Sequence, residues 1–353
     1  MKILIPLIGT FGKSGGYRVL SQLANHFIDK GHDVTFLSYI GSEGAYFPTY
    51  AKILYYDNSG NVSDHSDNKK KEPFLSLFIL RRALRKALDQ LDADVVLANH
   101  SFTASPVKKS IIKAKKFYYV QAYEPEYFYH KNFKDFILKT ISRKSYQLGL
   151  NIIVNASMYQ DYKEIKTHRV VFPGLDLSIF KPSFKNKDNS KIILGTIGRV
   201  EAYKGTFYIV EAFKELRKLY GEKIELHVAF GEKHLEEIEG ITVIAPDGDN
   251  ELANYYNSLN IYISAGTVQL EAIHYPVIEA MACKIQVITT GYYPSNKDNS
   301  WIIPIKDAYA ISEVVQEALT DPDKVKKVER GYMDIKEFDW EYIAEKMLKY
   351  FKE

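Results

Sequence analysis

Glu271 and Glu279 stand eight positions apart in EAIHYPVIEAMAC (271–283), with Pro276 between them. The run NIYISAG before Glu271 has strand character, which places that carboxylate in a loop. Pro276 suits the first position of a helix, where its missing N–H costs nothing. Glu279 then lies about one turn into the helix. A carboxylate buried there could grip a ribose diol through two acceptor oxygens, while Glu271 on the loop could hold sugar hydroxyls. Earlier in the chain, GTIGRVEAYKGTFYIVEAF sets Arg199 and Lys204 five residues apart, after a strand and at the mouth of a helix. Taken singly these are what any exposed loop carries. With a helix N-terminus behind them they form an anion site suited to a pyrophosphate. The four side chains together describe a nucleotide-sugar site with its own cations and no metal.

Other motifs compete. GTFGKSGG repeats glycine at Gly9, Gly12 and Gly15, and YQDYK offers Tyr159 and Lys163, a pairing used by nicotinamide-dependent sugar-nucleotide reductases and epimerases. Glycines in such a turn let backbone N–H groups approach a phosphate. The acid that would hold an adenosine ribose is missing, because DVTFLSYIG has no carboxylate after Phe36. The Tyr–Lys spacing also recurs at Tyr127 and Lys131. Asp-x-Asp, a metal-diphosphate signature, occurs at Asp92/Asp94, Asp247/Asp249 and Asp321/Asp323, in three unrelated contexts that suit solvated turn acids. The nine histidines lack metal-ligand spacing.

The elements that must position these residues follow one rhythm. Short apolar runs alternate with amphipathic segments from end to end: KILIPLI, DVTFLSY, AKILYY, ADVVLAN, KFYYVQAY, NIIVNAS and RVVFPG, then KIILGTIG, IELHVAFG, ITVIAP, LNIYISAG, IQVITTG and SWIIPI. Runs of four to eight apolar residues spaced in this way predict parallel sheets with helices on both faces. The polar stretch 181–190, KPSFKNKDNS, reads as a linker, and 57–73 as a mobile loop. The 353 residues therefore divide into two doubly wound α/β domains facing a cleft.

Charge divides the same way. Residues 1–180 carry 25 Lys/Arg against 16 Asp/Glu, a net of +9, and residues 181–353 carry 22 against 28, a net of −6. The segments 77–88 and 130–144 are basic and amphipathic. They suit an anionic membrane face or a lipid-diphosphate acceptor, and equally suit ordinary helices with lysines outward. No nucleic-acid motif is present. One cysteine, Cys283, fits a reducing compartment, and no apolar run reaches the length of a spanning helix, so a cytoplasmic protein is expected.

At this point the sequence resembles the retaining glycosyltransferases of the GT-B fold, in particular glycosyltransferase family 4. The resemblance is carried by GGYRVLSQLANHFIDKGHDV, FPGLDLSIFKP, GRVEAYKG and EAIHYPVIEAMACKIQVITT, in that order, and by FDWEYIAEKMLKYF as a final helix. GGYRV and VQAYEP are similar to a subgroup that builds bacterial surface polysaccharides, including by rhamnosyl transfer.

The resemblance implies an N-terminal acceptor-side domain (1–180), a linker (181–190) and a nucleotide-sugar domain (191–337). A helix (338–353) would cross back to the first domain. It implies that Arg199 and Lys204 hold the donor diphosphate, that Glu279 binds the ribose and that Glu271 lies at the transferred sugar. Gly15 and Gly16 would face the phosphates or sugar, with Ile273, His274 and Tyr275 lining the donor pocket. The family often has Gly-Phe-Gly where this chain has Ala272, Ile273 and His274, which alters that pocket. It frequently has a histidine where this chain has Gln121, with Tyr123 and Glu124 nearby on the acceptor or sugar side. The implied reaction transfers a glycosyl group with retention, without metal or other cofactor, from a nucleotide diphosphate sugar to a glycan or lipid-linked hydroxyl. A NAD(P)-dependent reductase or epimerase and a non-catalytic nucleotide-sugar-binding subunit are the rival readings.

Overall fold

The computed structural model describes residues 1–353 apart from 13, 68, 70–75, 129–131, 184–189, 199 and 269, and apart from the side chain of Ser76. The chain forms two compact units. Unit 1 is Met1–Gly174 with Trp340–Glu353, and unit 2 is Leu175–Asp339.

In unit 1, β1 (Lys2–Pro6), α1 (Gly15–Asp29), β2 (Asp33–Tyr39), β3 (Lys52–Tyr56) and β4 (Val62–Ser63) come first. Then follow α2 (Ser76–Leu88), β5 (Val95–Ala98), α3 (Ser101–Lys109), β6 (Lys115–Val120), α4 (Phe133–Ser145) and β7 (Asn151–Val154). The sheet order is β4-β3-β2-β1-β5-β6-β7, parallel except for β4 against β3. The central strands are buried on both faces and read as unbroken apolar runs for that reason. α1 ends where Gly31 takes φ +77°, a conformation that costs glycine nothing.

In unit 2, β8 (Ile192–Ile197), α5 (Thr206–Tyr220), β9 (Ile224–Ala229), β10 (Ile241–Ile244), α6 (Gly248–Ser258) and β11 (Ile261–Ser264) lead. They are followed by α7 (Tyr275–Ala282), β12 (Gln286–Thr289), β13 (Trp301–Ile302), α8 (Ala308–Thr320) and α9 (Lys324–Asp334). The order β10-β9-β8-β11-β12-β13 is parallel throughout. Both units are thus doubly wound Rossmann-like domains. α10 (Trp340–Lys352) belongs to unit 1, where Ile343, Met347 and Phe351 are buried and the Trp340 ring fills the space that a side chain at Gly174 would need.

Three details differ from expectation. RVVFPG makes a single bridge, Val154–Val170, before Pro173 and Gly174 turn the chain away. The segment 57–73 contains a strand, β4, because Asp57 accepts N–H groups from Ser59 and Asn61 and so folds a hairpin onto β3. Residues Leu175–Phe180 lie in unit 2, where Leu175 N–H donates to the Phe338 carbonyl and Phe180 packs edge-on to Tyr256. Among the described residues no helix is long and apolar enough to cross a membrane.

Candidate functional site

In an open parallel sheet ligands bind beyond the carboxyl ends of the strands, at the point where strand order reverses. In unit 2 that point lies between β8 and β11, and the loops that follow these two strands carry the residues singled out above. After β8 the chain makes one 3-10 turn, Ala202–Lys204, and Gly205 at φ +78° starts α5. A Cβ on Gly205 would lie 1.9 Å from the carbonyl oxygen of Ala265, so the lysine loop rests directly on the loop after β11. Thr267 laces the two together, its N–H donating to the Tyr203 carbonyl at 2.8 Å. Lys204 is half-buried, its Nζ 5.3 Å from the centre of the Tyr203 ring. The first turn of α5 has no acidic residue, which leaves its N-terminus electropositive. Arg199 lies outside the described residues.

The loop after β11 is built on Tyr292. Its hydroxyl donates to the Val268 carbonyl at 3.2 Å and occupies the space that a side chain at Gly266 would fill. Its ring stacks on His274 at 4.4 Å, and His274 Nδ1 is 3.4 Å from Ser264 Oγ. Ile273 pairs with Tyr293, and Tyr275 and Pro276 open α7. Glu271 is exposed on the loop.

Glu279 is buried, and the Tyr256 hydroxyl donates to its Oε2 at 2.7 Å. Burial, and then the charge of Glu279, push the Tyr256 phenol far above its usual range. Tyr256 therefore stays a proton donor, and it fixes one of the two oxygens that the sequence reading assigned to a ribose. A separate cavity of about 660 Å³ flanks the lysine loop on the α5 side. Glu201, Glu211, Glu232 and Glu237 line it, a poor setting for a diphosphate.

In unit 1 the strand order reverses between β1 and β5, and a cavity of about 420 Å³ opens there. Gly15, Gly16, Asn99, His100, Gln121 and Glu124 are among the residues that line it. Gly15 has open space where a side chain would stand, whereas a Cβ on Gly16 would meet the Gln121 amide at 3.3 Å. Glu124 is buried and is held by the first turn of α3. It accepts the Ser101 N–H at 3.0 Å and the Ser101 hydroxyl, and its Oε2 is 3.2 Å from His100 Nδ1. Tyr123 turns into the core, stacked between Tyr146 and Tyr162, and does not line the cavity.

His100, Tyr256 and Tyr292 were missed by sequence reasoning. His100 had a signal, since it closes ADVVLANH at the carboxyl end of a strand. The two tyrosines act through packing that spacing does not encode. The Asp-x-Asp pairs are used structurally in part: Asp94 accepts the Lys2 N–H, Asp92 pairs with Lys2, and Asp321 accepts from Trp301 and Asp323. Tyr159 lies in the 3-10 turn Ser157–Asp161, with Lys163 just after it.

Comparison with known proteins bears on this geometry. Residues 179–331, which cover nearly all of unit 2, match the family model described as Glycosyl transferases group 1. No curated protein matches the chain by sequence. Sucrose-phosphate synthase from Thermosynechococcus elongatus superposes with a TM-score of 0.74 at 15% identity, over 99% of this chain and 98% of that one. Anabaena Alr3699/HepE, in complex with UDP and glucose, gives 0.70 at 14% identity over 100% and 99%. WaaG, a glycosyltransferase involved in lipopolysaccharide biosynthesis, gives 0.64 at 15% identity over 99% of each chain. At such identities the likeness is one of fold, and the fold is GT-B. The match of residues 179–331 on that fold supports glycosyl transfer.

Proposed function

We propose that the protein is a retaining, metal-independent glycosyltransferase of family 4. It moves a hexosyl or deoxyhexosyl group from a nucleotide diphosphate sugar to a hydroxyl of a glycan or lipid-linked acceptor, in surface polysaccharide or glycoconjugate synthesis. It works in the cytoplasm, with peripheral contact at the membrane face. The observation that carries the reading is that the group 1 domain holds Lys204 and Glu271 on two loops laced together at the strand reversal, with Glu279 in the helix that follows.

In this reading Arg199 and Lys204 meet the charge that gathers on the departing diphosphate. One pre-placed donor is worth ~3 kcal/mol of barrier in a water-excluded site. Glu279, steadied by Tyr256, takes the ribose, and Glu271 takes hydroxyls of the transferred sugar, with Ile273, His274 and Tyr275 shaping its pocket. No covalent enzyme intermediate forms. The acceptor hydroxyl attacks from the face that the diphosphate leaves, and a leaving-group oxygen receives its proton. On unit 1, Gly15, Gly16 and Gln121 offer backbone and amide groups to the sugar or phosphates, and Glu124 orients His100 toward the acceptor side. HepE holds UDP, which makes UDP the first nucleotide to try. The subgroup resemblance adds a deoxyhexose such as rhamnose to the sugars worth testing.

Calorimetry with UDP, GDP, dTDP, ADP and NAD in EDTA tests the reading, on the intact protein and on Arg199→Ala/Lys204→Ala. One diphosphate should bind the intact protein at least tenfold more tightly than the variant. Turnover of the matching nucleotide sugar should then vanish in Glu271→Ala. Binding of NAD alone would return the glycine turn to the reductases, and binding without turnover would make the chain a nucleotide-sugar-binding subunit.

A further inference from the structure

Unit 1 has a second cavity, of about 260 Å³, between α2 and α3. Arg81, Arg82 and Arg85 reach it from α2 and Lys109 from the last turn of α3, with Phe78 and Pro106 as apolar walls. It is separate from the cavity at Gly15. Ser101 holds Glu124 at the start of α3, and Lys109 is eight residues on, about 12 Å along the axis at the rise of an α-helix.

Among the described residues four cations line this cavity and no carboxylate does. Among the described residues their one ion pair is Arg85 Nε with Asp89 Oδ2 at 3.8 Å, and the other oxygen of Asp89 already accepts the Ile111 N–H. Arg81 Nε is buried and has no hydrogen-bond partner among the described residues, and burial lowers the guanidinium from its ordinary value. A buried guanidinium donor without an acceptor is costly, and it is repaid by an oxyanion. Guanidinium forks match the oxygens of phosphate, two bonds at a time. Phe78, 61% exposed at the rim, adds an apolar edge that a bare inorganic ion would not use.

We propose that this cavity is a binding pocket for a phosphate group that carries an organic substituent, distinct from the cavity at Gly15 in the same unit. The substituent is either a soluble ester or the glycerol of an anionic lipid. The test uses the full chain carrying Arg199→Ala/Lys204→Ala, so that the donor diphosphate site proposed in unit 2 does not report. Glycerol 3-phosphate is titrated by calorimetry, and co-flotation is measured with vesicles of phosphatidylcholine alone or mixed with phosphatidylglycerol. Adding Arg82→Ala/Lys109→Ala, both exposed side chains, should weaken whichever binding occurs at least tenfold while leaving the melting temperature unchanged. Arg81→Met should do the same without adding cavity volume. Binding of glycerol 3-phosphate alone identifies a soluble ligand. Flotation only with phosphatidylglycerol, displaced by salt and lost in the variants, identifies the lipid. Absence of both, or binding that the variants leave intact, overturns the proposal.

Discussion

Gly205→Ala is the sharpest test of how the site of unit 2 is built. Two costs arise at once. An alanine at φ +78° sits in the left-handed region, at a cost of about 1–2 kcal/mol. Its Cβ would also stand 1.9 Å from the Ala265 oxygen, far inside any real contact, so the two loops must part by about an ångström. That separation stretches the 2.8 Å bond from Thr267 to Tyr203, worth about 1 kcal/mol. The sum is about 2–3 kcal/mol, or about 4–12 °C in the melting temperature of a domain of this size. Trp301, buried in β13, reports on unit 2 once Trp340 is replaced by phenylalanine. Thermal unfolding followed by its fluorescence should show the loss, and UDP affinity should fall with it, since Lys204 is the neighbouring residue. Gly15→Ala is the control. Its side chain would meet open space at the start of a helix, so stability should hold or rise slightly. A Gly205→Ala protein that melts with its parent would refute the claim that the loops rest on each other.

Other perturbations probe separate links. Tyr256→Phe removes a hydroxyl bonded to a buried carboxylate and should cost about 1.5–3 kcal/mol in denaturant unfolding, with weaker UDP binding by calorimetry. Burial lowers the pKa of His227 against an opposing pull from Glu225, and its Nδ1 is buried without a partner. Its proton is held more tightly in the unfolded chain, so the stability it contributes is whole above about pH 6.5 and is lost as the pH falls below that value. His227→Gln should flatten this slope in melts between pH 7 and 5. Phe351→Ala empties a site packed against Phe27 and Phe117 and should destabilise unit 1 by about 3–5 kcal/mol in urea unfolding.

The sheets were legible because parallel strands covered on both faces must be apolar throughout, and twelve of the thirteen runs quoted from the sequence became strands. β4 was not legible. A strand of only two residues, Val62–Ser63, paired through an Asp57 turn is too short to leave an alternating or unbroken apolar signature. In the site, the positions of Lys204 and Glu271 in strand-end loops and of Glu279 in the following helix could be read from strand ends and from Pro276. The partners could not. Tyr256 reaches Glu279 from α6, 23 residues away, and Tyr292 supports His274 from beyond β12. Such contacts are set by where helices settle on a sheet, and a chain with 27 tyrosines gives no hint of which two will matter. Tyr123 is the opposite lesson: it stands beside candidate residues in sequence, yet aromatic stacking turns it inward.

The membership of α10 in unit 1 bears on the order in which the protein can be made. Residues 1–174 leave the ribosome well before 340–353, with all of unit 2 translated between them. Until then the faces of Phe27 and Phe117 that receive Phe351, and the notch at Gly174 that receives Trp340, are open to water. Unit 2 is continuous in sequence and needs no later segment to complete it. The first unit therefore stays unfinished until the whole of the second has been translated. A peptide of residues 340–353, supplied in trans to a chain stopped at 339, would measure how much of unit 1 waits for that helix.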